Sequence, residues 1–367
     1  MPNCGAYILL SEWHMFASLK TWWATPLVGI IGALLASAAH WPLPWIIGSM
    51  LAVIFVRCSG WLIAEIPNGR KSGQWMIATS IGLHFTQPVV HEIVRHFPMM
   101  LAAAFLTLLL ALAGIAFMRR QGMDLKTAYF AFMPANFAEM IQLGMRYRAD
   151  VSQIAAAHSI RLVLIVLSVP AAMFLLMQVT PGVTEPLRPA AQWQWLGPML
   201  AGGALVAVLW RRMGLPNPWM FGPMALCAGL TAAFDLRTAL PVEMSHYGQL
   251  MIGCALGSFF DRGFFRRSPL YLMKVVIFTL SMIVGTFLFA WGFGWLTGMP
   301  VLSLALGMMP GSSTEMYLTA EALHLGAGMV TAMQIMRLVV VMLCAEPVLK
   351  LWLARQGDVV NEQQEQD

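Results

Sequence analysis

Charge is what this chain has least of. Asp, Glu, Lys and Arg make up 11% of its 367 residues, while 59% are apolar; a soluble domain carries about 25% charged residues. So little polar surface cannot coat a globule of this size in water, which excludes a soluble enzyme, a nucleic-acid-binding module and a disordered chain. A polytopic membrane protein remains, since about ten helices of about 20 residues fit within the length. Paired cysteines are missing too. Cys4, Cys58, Cys227, Cys254 and Cys344 are scattered, with no C-x-x-C among them, which removes redox and zinc-ribbon motifs. His91 and His96 lie outside the i, i+4 spacing of a helical zinc site and are read as loop residues. No His or Cys cluster has metal-ligand spacing, so neither enzyme chemistry nor a cofactor or metal is expected. The opening residues lack the basic stretch of a cleavable signal, and regular patterning begins only after Lys20. The 22 Lys/Arg exceed the 17 Asp/Glu, an excess read as cytoplasmic loop charge and not as a nucleic-acid patch.

What is present is a series of apolar stretches. They cover 22–39, 44–63, 73–90, 97–118, 127–145 and 151–177, then 194–210, 218–234, 247–260, 274–296, 301–322 and 328–353. Turn and charge signals separate them, as in Pro67-Asn68-Gly69-Arg70-Lys71 and Arg119-Arg120-Gln121-Gly122. The chain therefore divides into an N-terminal segment 1–21, a first membrane repeat 22–178, a Pro- and Thr-rich linker 179–193, a second membrane repeat 194–354 and a polar tail 355–367.

The two membrane regions resemble each other. Pro44-Trp45-Ile46-Ile47-Gly48-Ser49-Met50 recurs as Pro218-Trp219-Met220-Phe221-Gly222-Pro223-Met224, at an offset of 174. Gly73-Gln74-Trp75-Met76-Ile77 recurs as Gly248-Gln249-Leu250-Met251-Ile252 at 175, with Gly82 and Phe85 matching Gly257 and Phe260. The stretch from Met133 to Met140 recurs from Met309 to Met316 at 176, and Arg161 matches Arg337. Ordered blocks with so little drift in offset imply a duplication.

Positive charge orients the copies. If every stretch crossed the membrane, about ten Lys/Arg would lie inside and nine outside, and the positive-inside rule would fail. If 127–145 and 301–322 instead enter and return on one side, sixteen lie inside and three outside, with Arg57, Arg161 and Arg337 within helices. The expected fold is an all-α membrane protein, an inverted repeat of two five-helix units, each with a Pro-broken re-entrant segment. Both termini are then cytoplasmic, in a multi-pass membrane protein.

The breaks fall at Pro134 and Pro310, which lack a backbone donor. Asn136-x-x-Glu139 and Ser312-x-x-Glu315 have capping-box spacing, which Ser312 fits better. Paired interrupted segments in inverted halves point to a transporter binding site. Arg161 and Arg337 sit well inside apolar helices, at a cost of about 2.5–3.5 kcal/mol each at the bilayer centre, so they are expected to pair with Glu139 and Glu315. On the functional reading the glutamates take a proton or cation, and the arginines with the half-helix N-termini take an anionic group. Gln74 and Gln249 are matched amides that could line a cavity. His158 could relay a proton, although a hydrogen-bonded interior histidine is the simpler reading.

These duplicated motifs together resemble the bacterial AbrB family of membrane proteins, over about residues 22–353. The family usually has Pro-Gly-Gly at the break; here Pro134-Ala135-Asn136 and Pro310-Gly311-Ser312 stand there, so the resemblance leaves the symmetry of the two tips open. It implies a regulator of gene expression or an ammonia monooxygenase label. The residues support neither a DNA-reading element nor an oxygenase metal site, so regulation would be indirect. The reading reached is a secondary transporter of a small solute, an organic anion, amino acid or amine, with a coupling proton or cation. The partners expected are the lipid bilayer and that solute, with no direct nucleic-acid binding and room for a homo-oligomer. The alternative is a membrane-embedded regulator without net transport.

Overall fold

The computed structural model describes residues 22–61, 63–177, 189–264 and 269–354. The N-terminal segment, most of the linker and the polar tail lie outside the described residues. Among the described residues the protein is all-helical. The first half contributes α1 (Ala24–Ala38), α2 (Pro44–Cys58), α3 (Gly69–Leu83), α4 (Gln87–Arg95), α5 (Phe97–Arg120), α6 (Leu125–Phe132), α7 (Phe137–Arg146) and α8 (Val151–Met177). The second contributes α9 (Trp193–Arg212), α10 (Pro218–Phe234), α11 (Val242–Gly257), α12 (Pro269–Thr297), α13 (Val301–Met308), α14 (Ser313–Ala322) and α15 (Ala327–Ala354).

Five helices, α5, α8, α9, α12 and α15, are long and apolar enough to cross a membrane, since about 20 residues at about 1.5 Å each span the hydrocarbon core. They leave Leu109, Val284, Leu288 and Leu343 exposed, as lipid-facing surfaces require. Helices α1, α2 and α10 are apolar but shorter, at 15, 15 and 17 residues. Proline starts α2 and α10 at their first turns, where its missing N–H has no partner to lose.

The helix bounds recur at the offset seen in the sequence. Helices α6 and α13 each have 8 residues and α7 and α14 each have 10. Packing between the halves is reciprocal. A Cβ on Gly82 of α3 would stand 2.9 Å from the Met224 carbonyl oxygen on α10, and one on Gly257 of α11 would stand 2.7 Å from that of Met50 on α2. Each pair is the repeat counterpart of the other. Helix α3 also packs on its own counterpart, with Gly73 against Ile252 and Gly248 against Ile77. Small residues let these backbones meet.

Two sequence readings need correction. The stretch 73–90 is not one element, because α3 ends at Leu83 and α4 begins at Gln87. His91 is therefore helical and not in a loop, and its ring Nδ1 bonds the Gln87 carbonyl at 3.1 Å. Pro88 at the first turn starts this helix. Its mixed Val and charged residues give an amphipathic segment with no buried residue, a pattern suited to a membrane interface.

Candidate functional site

The proline breaks are built the same way twice. Helix α6 stops at Phe132, the backbone extends through Met133 and Asn136, and α7 begins at Phe137. Helix α13 stops at Met308, extends through Met309 and Ser312, and gives way to α14. A proline at position 134 leaves the Phe130 carbonyl without its i+4 donor, and one at 310 does the same to Leu306. The helices behind supply replacements. His158 Nε2 donates to the Phe130 carbonyl at 2.8 Å, and Gln334 Nε2 donates to the Leu306 carbonyl at 2.5 Å. Gln334 occupies the counterpart position of His158, so two chemically different side chains do one job.

The arginines serve the next carbonyls along. Arg161 Nη1 donates to Phe132 and Met133 at 3.4 and 3.2 Å, and its Nη2 donates to His158 Nδ1 at 2.8 Å. Arg337 Nη1 donates to the Met309 carbonyl, and its Nη2 to the Gly311 carbonyl at 2.8 Å. The expected pairing of these arginines with Glu139 and Glu315 is thus incorrect. A half-helix C-terminus carries about −0.5 charge on unpaired carbonyls, and it lies nearer to each guanidinium than a carboxylate does. His158 has both ring nitrogens engaged, which fixes a neutral tautomer protonated on Nε2 and favours the interior hydrogen-bonding role over the proton relay.

The glutamates sit in the first turns of α7 and α14. Glu139 is half-buried and accepts from Asn136 Nδ2 at 3.5 Å. Glu315 is 4% exposed, and its Oε2 has no hydrogen-bond partner. Ser312 caps α14 by accepting from the Thr314 N–H at 3.3 Å, whereas Asn136 makes no side-chain cap to α7.

Both tips line one inner cavity of about 70 Å³. Asn136 and Phe137 come from the first tip, Gly311 and Ser312 from the second, and Arg161 and Arg337 from behind. Arg70, Gln74, Asn136 and Asn217 also line a larger vestibule of about 460 Å³, whose wall includes Lys71, Arg211 and Trp219. The two spaces therefore meet at a polar neck. Gln74 lies on it, but Gln249 does not line either space; it is buried, and its Nε2 donates to Ser245 Oγ at 3.3 Å. The counterparts of vestibule residues Trp219 and Lys71 are Trp45 and His246, and these stack with ring centroids 4.7 Å apart. Sequence reasoning missed Arg70, Asn217 and Ser313 as cavity residues. Arg70 and Gln74 share a helix face at i, i+4, which was a usable signal. Asn217 has Leu43 as its counterpart, so the repeat gave none.

The AbrB family model, "Transition state regulatory protein AbrB", matches residues 45–353. "Uncharacterized protein YhjN" of Bacillus subtilis (strain 168) is 22% identical over 349 residues, covering 88% of this chain and 91% of the relative. "Putative regulator AbrB" of Escherichia coli (strain K12) is 24% identical over 318 residues, covering 83% and 89%. A match of this extent, running through both repeats and both broken segments, makes the chain a member of the AbrB family.

Proposed function

We propose that the protein is a secondary transporter of a small solute, moving it between two sides through the cavity at the paired breaks. The observation that carries this reading is a cavity formed by corresponding tips of both halves and joined to a vestibule on one side, while Trp45 and His246, at the counterpart positions of two vestibule residues, stack on each other. Interrupted segments of both halves meeting at one cavity are what alternating access uses.

The membrane arrangement proposed is inverted, with the segments of α6–α7 and of α13–α14 re-entrant. Helix contacts support it. Gly253 and Gly257 of α11 meet Ile46 and Met50 of α2 in step, so α11 runs with α2. Gly69 of α3 lies beside Met251 and Ile77 beside Gly248, so α3 and its counterpart α11 run in opposite directions. Sixteen of the 22 Lys/Arg then lie inside, which supports a cytoplasmic vestibule. The regulatory name of the Escherichia coli relative fits this reading as an indirect consequence of solute movement.

The test is two-sided labelling of a cysteine-free background with an impermeant maleimide. Asn217→Cys is expected to react from the cytoplasmic side and Ser245→Cys, more slowly, from the other. Trp45→Ala should raise the second rate about tenfold, the shift given by losing about 1.4 kcal/mol of aromatic contact. A Ser245→Cys thiol that never reacts from outside, even with Trp45→Ala, sinks alternation.

Coupling is assigned to Glu139 and Glu315. Neither forms the cavity wall, so each acts from the first turn of the half-helix whose tip does. Glu→Gln keeps the shape and removes the titration. In vesicles, Glu139→Gln or Glu315→Gln should leave flux that no longer responds to a pH or cation gradient. An unchanged response in both variants removes the carboxylates from the mechanism.

A further inference from the structure

We infer that the inner cavity receives a carboxylate head, with the remainder of the solute lying in the vestibule. The inference rests on the reading of this cavity as the solute site, and it selects a carboxylate-bearing solute over a simple amine.

The wall decides the sign. Arg70, Arg161 and Arg337 line the cavity, and no Asp or Glu is among its lining residues. Glu315 lies within electrostatic reach of Arg70, but neither glutamate accepts from Arg161 or Arg337. The half-helix C-termini at α6 and α13 bring about −0.5 charge each, and the N-termini of α7 and α14 bring about +0.5 each. These partial charges cancel, and the guanidinium charges remain.

Donors are also left over. Arg161 and Arg337 are 5% and 3% exposed, and the Nε of each is buried without a hydrogen-bond partner. Asn136 makes no side-chain cap to α7 and lines the cavity with them. The guanidinium groups of Arg70, Arg161 and Arg337 with the Asn136 and Ser312 side chains make a donor-rich lining suited to a planar oxyanion. An ammonium group would meet three arginines there and no carboxylate. Size points the same way: a cavity of about 70 Å³ takes one small head group, and the adjoining space of about 460 Å³ takes a body.

The probes are acetate, inorganic phosphate, acetamide and methylammonium, added to the full-length protein in phosphatidylcholine nanodiscs that hold no anionic lipid. Intrinsic tryptophan fluorescence reads binding at Trp219 on the vestibule wall. Acetate is expected to saturate the signal and to raise the unfolding temperature, while acetamide and methylammonium do neither. Arg70→Gln, at a half-buried neck position, should keep the fold and weaken acetate at least tenfold. Binding of methylammonium or acetamide as tight as acetate overturns the inference, as does phosphate binding without acetate binding, or no binding by any probe. Acetate binding without flux in vesicles supports the carboxylate site and counts against transport; flux of an amine without acetate binding supports transport and overturns the carboxylate.

Discussion

Arg161→Ala and Arg337→Ala are expected to be the most damaging single substitutions in the protein. Each guanidinium is almost fully buried and donates to backbone carbonyls at a helix end that proline has left open. Removing it strands the Phe132 carbonyl in the first half and the Gly311 carbonyl in the second, at about 1–3 kcal/mol for a buried group left unsatisfied, while Met133 and Met309 keep other donors. Arg161→Ala also strands the Nδ1 of His158. With the cavity left by the side chain added, the expected loss is about 3–5 kcal/mol, enough to unfold a marginally stable domain. Thermal unfolding in detergent and the yield of monodisperse protein measure it. Glu139→Gln separates this account from ion pairing. If arginine–glutamate pairs held the tips, that change would be comparably harsh; on the present contacts it should shift stability by less than about 1 kcal/mol. Wild-type stability in Arg161→Ala would show that the carbonyls find other donors.

The same contacts explain what was legible in the sequence. The breaks could be read because proline has no N–H, and because Pro134 and Pro310 recur at the repeat offset. The bounds 218–234 match α10 at both ends, and 151 matches the start of α8, where apolar runs meet polar or turn residues. Partner choice could not be read. The nearest opposite charge in sequence is a glutamate, but the strongest need is created by the broken backbone, and that need appears only when α8 and α15 pack behind α6 and α13. Helix α4 was missed because His91, Glu92 and Arg95 interrupt its apolar face. The largest gap concerns asymmetry. Gln74 and Gln249 are identical in type, yet one lies on the polar neck and the other is buried against Ser245. Arg70 and Asn217 line the cavity, and their counterparts by offset are Ser245 and Leu43. A repeat read from sequence reports what the halves share, whereas the polar lining of this cavity lies in what they do not.

His158→Leu is expected to cost about 2–4 kcal/mol, and His158→Gln far less. The argument follows one missing hydrogen. Proline at 134 denies the Phe130 carbonyl its helical donor, and His158 Nε2 stands in for it at 2.8 Å. Leucine fills similar space but supplies no donor, so a carbonyl stays unpaired in a dry interior and Arg161 Nη2 loses its acceptor. Glutamine supplies both a donor and an acceptor, and the second half already uses it: Gln334 Nε2 donates to Leu306 and, at 3.1 Å, to Met309. Coupling tests the cause. Pro134→Ala restores an N–H near the Phe130 carbonyl, so His158→Leu should cost at least about 1 kcal/mol less in that background than alone. Unfolding temperatures for the single and double variants close the cycle. Additive costs would mean that the histidine supports the fold for a reason other than the proline. Glutamine also carries no titratable proton, so His158→Gln should retain any pH dependence of solute flux. Loss of that dependence with a wild-type fold would return His158 to the proton path.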